Sequence, residues 1–500
     1  MDAKENVNPS KTAIVIGSGI AGIAIAIRLA KKGYRVKVLE QFASPGGKLS
    51  EYRWEGFRFD CGPSLFTLPE LVDDLFKLCG EKPEEHFKYS PVQKSCRYFW
   101  PDGLVLDAWQ NTNEFAVEVE QKTGVRTSTV ISYLNTCKKL YELTADVFLF
   151  ESFHKPSNYL KRSYLKVLLH LNRLDAFYTM HKRNRITFKN NYITQLFDRY
   201  ATYNGSNPYK TPATLKMIAH LEHTKGAYFP DKGMYHIVEA LVDLAKRNGV
   251  EFCLNTQAEE IVIENKHVKA VRANNQLFEA DLLVSDIDVV NLFRKLLPKQ
   301  TFPSQQIKKD RSSSALIFYW SMNQCFEQLG LHNILFSANY KDEFEHLFLH
   351  KDISSDPTVY IFISSKHVNG DAPNNCENWF VMVNAPSDTG QDWDKITARL
   401  RKAILHKINA VLNIDVEPHI INENISTPQT IENQTGSFQG SLYGLSSNGM
   451  LAAFYRHPNF KKSFPNLFFV GGSVHPGGGI PLCLASAMIV DKEIPLANNK

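Results

Sequence analysis

Apolar positions along this chain follow three patterns, each with its own period. Short apolar runs bounded by glycine, at residues 12–16, 35–39 and 466–470, have the length and composition of strands buried on both faces. Apolar residues three and four apart predict a helix over 69–79, with Leu71, Val72, Leu75 and Phe76 inward, and another over 234–247, with Ile237, Val238, Leu241 and Leu244 on one side. A third such helix is expected over 393–412. Alternation predicts strands near 250–254, 260–263, 268–273 and 282–285, then at 316–320, 359–363 and 379–383. Residues 97–106 read as a hairpin turning at Pro101-Asp-Gly103, and residues 112–220 read as mostly helical.

The first strand runs directly into Gly17-Ser-Gly19-Ile20-Ala21-Gly22 and a helix over 20–32. That order is the dinucleotide-binding arrangement: Gly17 for the tight turn, Gly19 for backbone approach to a pyrophosphate, Gly22 for close helix–strand contact, and the helix N-terminus for partial positive charge. The second strand ends in Glu40, 18 residues past Gly22, where a carboxylate can accept both ribose hydroxyls of an adenosine and disfavours a 2′-phosphate. Taken alone the glycine pattern also suits a turn in another parallel sheet; strand, helix and acid together favour the nucleotide. Pro45-Gly46-Gly47-Lys48 follows, then Phe59-Asp60-Cys61-Gly62-Pro63-Ser64. Bare backbone and one cation beside a second phosphate suit FAD rather than NAD, although a plain turn with a solvated lysine has the same composition.

A matching half stands at the other end of the chain, where residues 466–470 lead into Gly471-Gly472-Ser473-Val474-His475-Pro476 and Gly477-Gly478-Gly479-Ile480-Pro481. A helix starting near Pro481 and carrying Leu484, Ala485 and Met488 would point its positive end over Gly477 to Gly479, where a reduced flavin carries negative charge. His475 suits either a base or a pin for the turn, and the pin is favoured by the proline and glycines after it.

At 43% hydrophobic content, 500 residues exceed one compact core. No repeat or low-complexity linker divides them, so interleaved lobes are expected: 1–110, 226–290 and 431–500 as three parts of an FAD-binding lobe, 111–225 as a helical, membrane-facing substrate lobe, and 291–430 as a strand-rich substrate lobe. The fold class is α/β (α+β mixed), with a Rossmann-like lobe of the two-dinucleotide-binding-domain flavoprotein type. Eight cysteines lie scattered without a C-x-x-C pair or clustered Cys/His spacing, which argues for a reducing compartment and against zinc or an iron–sulfur site. Residues 1–11 are polar and unlike a secretory signal, and no run of about 18 apolar residues predicts a spanning helix. A cytoplasmic protein, peripheral to the membrane, is expected.

The net charge of +5 is local in origin. Residues 155–189 hold nine bases and one acid, Asp175, so that segment carries +8 and the rest of the chain −3. Within it Tyr164, Leu165, Leu168, Leu169, Leu171, Phe177 and Tyr178 alternate with Lys161, Arg162, Lys166 and Arg173, as in a helix lying in the interface of an anionic membrane. A cap whose apolar side packs on the core is the competing reading. Nothing resembles a nucleic-acid recognition module.

Together these motifs, with Phe229-Pro230 and Gly233, resemble the bacterial phytoene-desaturase type of carotenoid desaturase over nearly the whole chain. H-P-G-x-G-I-P is the most specific mark. Arg199-Tyr200-Ala201-Thr202-Tyr203-Asn204-Gly205 and Pro208 further resemble the branch that desaturates the 3,4-bond of hydroxylated carotenoids. Asp231-Lys232 departs from the glycine that relatives place before Gly233, and Gly472-Ser473 from a usual Gly-Asp. The resemblance implies FAD held by Gly17, Gly19, Ile20, Ala21, Gly22, Glu40, Gly46, Gly47, Lys48, Gly62, Pro63, Ser64, Ile261, Gly471, Gly472, Ser473, Pro476, Gly478, Gly479, Ile480 and Pro481. It implies hydride loss from an allylic carbon to flavin N5, followed by proton loss, with oxygen or a quinone as terminal electron acceptor. No metal and no firm base are implied; Asp198, Arg199, Tyr203 and His475 are candidates, and a buried hydrogen-bonded turn explains the first three equally well. A phytoene-type multi-step desaturase, a carotenoid isomerase or retinoid saturase, an amine oxidase and a non-enzymatic lipid-binding carrier remain as alternatives.

Overall fold

The computed structural model describes residues 11–298, 300, 307 and 309–497; of the polar stretch expected at residues 1–11, all but Lys11 lies outside them. Strand β1 (Thr12–Ile16) sits inside a six-stranded sheet, between β2 (Arg35–Leu39) and the strand Leu282–Ser285. Glu251–Cys253 pairs on the far side of β2. Phe464–Phe469 pairs on the far side of Leu282–Ser285, and all of these pairings are parallel. The two ends of the chain therefore share one sheet. Ala13, Ile14 and Val15 are fully buried because both faces are covered: Ala13 and Val15 face helices Ile20–Lys31 and Ile480–Asp491, and Ile14 faces Ile261, Val268 and Val271 of a separate antiparallel sheet. Helix α1 (Ile20–Lys31) packs against the closing helix Ile480–Asp491, and both are apolar almost all round.

The alternating strands after residue 250 divide between two sheets. Glu251–Cys253 and Leu282–Ser285 join the parallel sheet, whereas Ala258–Glu264, His267–Ala273 and Gln276–Glu279 form an antiparallel sheet of three. A seven-stranded sheet forms the second lobe, in the order Ile420–Ser426, Ser314–Met322, Glu377–Ala385, Val359–Ile363, His332–Leu335, Lys94–Phe99 and Val105–Trp109. The expected hairpin is thus present and longer than its pattern, and it belongs to this sheet. No change of sheet coincides with residue 110. The helices Thr112–Thr123 and Thr127–Phe148 open the helical stretch and pack on the hairpin side of the sheet.

A buried ion cluster fastens the lobes together. The Arg58 guanidinium donates to Glu51 at 2.8 Å, Asp60 at 2.6 Å and Asp371 at 3.2 Å. Asp60 also accepts the backbone N–H groups of Met234 and Tyr235 at 2.8 and 2.9 Å, at the turn that follows Asp231-Lys232. That departure from the family pattern falls on two exposed residues, while Gly233 stays buried against Arg58. Among the described residues no helix is long and apolar enough to cross a membrane.

Candidate functional site

Three glycine turns from distant parts of the chain meet at the carboxyl ends of β1, β2 and Leu282–Ser285, the crevice where an open parallel sheet takes its ligand. The first turn runs from Gly17 to Gly22, and its crossing is too close for a side chain: a Cβ on Gly22 would stand 2.2 Å from the Gly17 carbonyl oxygen. Ile20 and Ala21 are buried in the start of α1. The second turn lies directly on the first, with Gly46 N–H donating to the Ser18 carbonyl at 2.9 Å and Gly47 facing Gly19. Gly62, with Pro63 and Ser64 after it, rests on the Lys48 carbonyl.

The third turn closes the crevice from the other end of the chain. Gly471 N–H donates to the Ser486 hydroxyl of the closing helix at 3.2 Å, and Gly472 lies against Gly478. Ser473 Oγ accepts the Val289 N–H at 3.0 Å, at the start of the short helix Val289–Asn291. Gly479 is the N-cap of the closing helix, Pro481 lies in its first turn, and Ile480 is buried. A Cβ at Gly479 would meet nothing within 4 Å, so this helix start opens onto free space. Ile261 shares an apolar cluster with Ile16 and Leu39, the last residues of β1 and β2.

Between the N-terminal and C-terminal turns stands Asp286, a residue the sequence reading missed. Its carboxylate accepts the Gly22 N–H at 2.9 Å. A Cβ on Gly19 would meet one carboxylate oxygen at 2.5 Å, and a Cβ on Gly471 the other at 2.3 Å. The signal was available: an acid directly follows the buried strand Leu282–Ser285 at its carboxyl end. Burial pushes its pKa up to about 7, Glu40 adds to the rise, and the Gly22 N–H, Lys48 and the Gly19 N–H oppose it. Glu40 itself is buried, accepting from Ser18 N–H at 2.9 Å, Ser18 Oγ–H at 2.6 Å and Phe42 N–H at 3.0 Å.

Two cations tie these segments together. Instead of standing free, Lys48 donates to the carbonyls of Ser441 and Leu442 at 3.2 and 2.8 Å, and burial pulls its pKa below the ordinary lysine range. Arg456, also missed from sequence, lies under Gly477 and donates to the carbonyls of Tyr443 and Leu445 at 2.9 and 3.0 Å. Burial lowers its pKa to about 10.

The four candidate bases lie elsewhere or are engaged. His475, buried before Pro476, bonds through Nε2 to the Glu151 carbonyl at 2.8 Å, and burial pulls its pKa down to about 3. It is a neutral donor that pins the turn. Asp198 is enclosed, with His181 Nδ1 at 2.6 Å and Asn184 Nδ2 at 2.8 Å. Arg199 donates to the Tyr98 hydroxyl at 2.7 Å and pairs with Glu222 at 3.5 Å; Tyr203 donates to the same Glu222. Despite burial, that guanidinium holds the Glu222 carboxyl below its ordinary value. The Arg199 segment is therefore a buried, mostly internal hydrogen-bonded network in which Arg199 Nε keeps no partner.

The basic segment is also reshaped. Instead of one amphipathic helix it forms short pieces, of which Arg162–Leu169 is one, and Tyr164 turns inward with Val167 and Leu174 onto Leu140, Val147 and Phe153. Met180 and Phe188 are buried in the second-lobe core, while other large apolar side chains point out, with Leu160 at 85%, Leu169 at 82% and Phe177 at 84% exposure. Met450, Leu451, Phe454 and Tyr455 are exposed beside them, since Phe454 packs on Phe148 and Phe153. Lys161 pairs with Glu151, Lys155 with Glu493, and Arg183 with Asp175.

Comparison with known proteins fits this crevice. The family described as flavin-containing amine oxidoreductase matches residues 20–490. A 1-hydroxycarotenoid 3,4-desaturase of Flavobacterium sp. is 47% identical over 98% of this chain and 100% of its own length. A phytoene desaturase of Fusarium fujikuroi is 28% identical over 97% of this chain and 89% of its own. Among solved structures, putrescine oxidase bound to putrescine has a TM-score of 0.63 at 12% identity, covering 96% of this chain and 98% of its own, a likeness of fold.

The position of Asp286 predicts a pH slope. Its pKa of about 7 lies above the unfolded value of about 3.9. Between those values the native state keeps a proton that the unfolded chain has released, so stability falls as pH rises through that window. Asp286→Asn should remove this slope and gain up to about 4 kcal/mol at pH 8 relative to pH 4. Denaturant unfolding from pH 4 to 8 checks it, and parallel profiles for parent and variant would refute the assignment.

Proposed function

We infer, since the chain belongs to the flavin-containing amine oxidoreductase family, that it is an FAD-dependent carotenoid desaturase forming the 3,4 double bond of a 1-hydroxylated end-group. The end-to-end likeness to a desaturase of that name carries the reading. The crevice suits a dinucleotide by its construction: backbone bare of side chains at Gly19 and Gly47, open space at Gly479, and two helix N-termini at the turns. Bound FAD supplies the hydride acceptor, and conjugation with the polyene spreads the charge that develops on the allylic carbon.

The chain's own part is to bind, orient and exclude water. Glu40, fixed by Ser18 and Phe42, offers its remaining lone pairs to ribose hydroxyls. The helix start at Gly479 places partial positive charge beside the third turn. Arg456 and Lys48 hold that turn and its neighbours through backbone carbonyls, and His475 pins it to Glu151. With the candidate acids and bases engaged, the reaction asks of the lobes an apolar seat for the polyene more than a strong base.

Pigment analysis after co-expression with a panel of carotenoid backbones tests the reading. A 1-hydroxylated acyclic or monocyclic carotenoid should gain one double bond at the 3,4-position, while 15-cis-phytoene is converted poorly or not at all. Conversion of phytoene to a red polyene in several steps, with no preference for the hydroxylated compound, would instead support a phytoene-type desaturase, the second reading that the Fusarium relative motivates.

The reading includes a peripheral seat on an anionic bilayer through residues 155–189 and 450–455, with electrons passing on to oxygen or a quinone. A membrane-dissolved substrate gives the outward leucines and Phe177 a purpose, and Arg162, Lys166 and Arg173 supply the charge around them. Each base near the surface should add about 1 kcal/mol, and binding should weaken with salt. Cosedimentation with anionic liposomes should drop for Leu160→Ser/Leu169→Ser/Phe177→Ser and for Arg162→Gln/Lys166→Gln/Arg173→Gln. Parent-like cosedimentation of both triple variants at low salt would remove the membrane from the account.

A further inference from the structure

We propose that the Ser64 hydroxyl, positioned by Tyr360 and His332, recognises the oxygen of the substrate's hydroxylated end-group. The proposal rests on the desaturase reading above and names the specificity contact within it.

Three segments distant in sequence build this arrangement. Ser64 Oγ lies 2.6 Å from the Tyr360 hydroxyl, which lies 2.8 Å from His332 Nδ1. Tyr360 stands on Val359–Ile363 and His332 on the neighbouring strand His332–Leu335, diagonal to it, with the two rings stacked at 6.1 Å. His332 is buried and its Nε2 has no hydrogen-bond partner. Ser64 and Tyr360 keep some accessible surface.

The proton count along the chain leaves one position open at its outer end. A neutral imidazole carries one N–H, and His332 Nε2 stays without a partner in either tautomer. With the proton on Nδ1, His332 donates to the Tyr360 oxygen, Tyr360 O–H donates to Ser64 Oγ, and the Ser64 O–H is left to donate outward. With the proton on Nε2 the chain runs the other way, and a lone pair of Ser64 Oγ is left to accept. Either way Ser64, at the meeting of the two lobes, keeps a hydrogen-bonding position that a substrate hydroxyl, both donor and acceptor, can meet.

The reaction decides where that oxygen must be. An oxygen on C1 lies within about 5 Å of the C3–C4 bond by covalent geometry. The carbon that gives up hydride must come within about 3.5 Å of its acceptor. The contact that reads the hydroxyl therefore belongs at the rim of the cofactor crevice. Ser64 is two residues beyond Gly62, which rests on the Lys48 carbonyl of the second glycine turn. In the Arg199 network, Tyr98, Tyr203 and Glu222 engage the terminal guanidinium nitrogens, and the one unpartnered donor, Arg199 Nε, is buried.

The test compares kcat/KM for a 1-hydroxylated carotenoid and its deoxy analogue, in the same liposomes, for purified holoenzyme and its Ser64→Ala, Ser64→Thr and Tyr360→Phe variants, with flavin content read by absorbance. Ser64→Ala should lower the hydroxylated-to-deoxy ratio about tenfold, since the buried substrate oxygen loses a partner; Ser64 also stands among the residues expected at the flavin, so its rates are compared per bound flavin. Tyr360→Phe should lower the ratio several-fold through the hydroxylated substrate alone and with unchanged flavin content, and Ser64→Thr should keep it. An unchanged ratio, an equal loss of both rates per bound flavin, loss of flavin in Tyr360→Phe, or a parent enzyme indifferent to the hydroxyl would each overturn the proposal. If Ser64→Ala does not fold, the ratio for Tyr360→Phe decides. A parent that forms no 3,4-bond refutes the desaturase reading and the proposal with it. A parent that prefers the hydroxylated compound, with variants that keep its full preference, refutes the proposal alone.

Discussion

The architecture depends on backbone meeting backbone where no side chain could stand. Gly22 crosses the Gly17 carbonyl, Gly47 rests on Gly19, and Gly472 lies against Gly478, so that three loops close on one crevice. Asp286 occupies its centre and touches the turns from both ends of the chain. The parallel sheet makes this possible by placing Leu282–Ser285 between β1 and Phe464–Phe469, which brings the first and last motifs to the same edge. A carboxyl group with a pKa near 7 among bare N–H groups also makes the crevice's charge depend on pH.

From that edge the second lobe is held in register by charge and by rings. Arg58 joins the glycine region to Asp371 of the strand-rich lobe, and leaving its acids unpaired in a dry site would be costly. Phe153 packs edge-on against His475 at 4.4 Å and also touches Phe454. The pin of the third turn is therefore part of the same cluster that supports the outward apolar surface. Crevice and surface are linked by direct contact.

Much of this was legible in the sequence, for physical reasons that differ by element. The strands at 12–16 and 35–39 and the helix at 393–412 were legible because burial on one or both faces imposes a strong pattern. The glycine turns were legible because close approach restricts the residue type. The strand His332–Leu335 and the contacts among Ser64, Tyr360 and His332 left no trace, since cross-strand neighbours carry no sequence spacing. The Arg199 segment was legible only as a pair of alternatives, because a run of polar side chains reads the same whether it faces a ligand or bonds within itself; its side chains bond mostly to one another. The basic segment gave the right composition and the wrong shape: its apolar residues point both ways, three of them inward onto Phe153 and its neighbours.

The central claim is that both ends of the chain build one FAD site, and fluorescence titration of the apoprotein with FAD tests it most directly. One FAD should bind per chain. Glu40→Ala, at the N-terminal half, should weaken it by about 1.5–3 kcal/mol. Gly479→Val, at the C-terminal half, should weaken it as well, because it puts a branched side chain into open space at a φ of 108°. Parent-like affinity in either variant, or two FAD molecules per chain, would contradict a shared site.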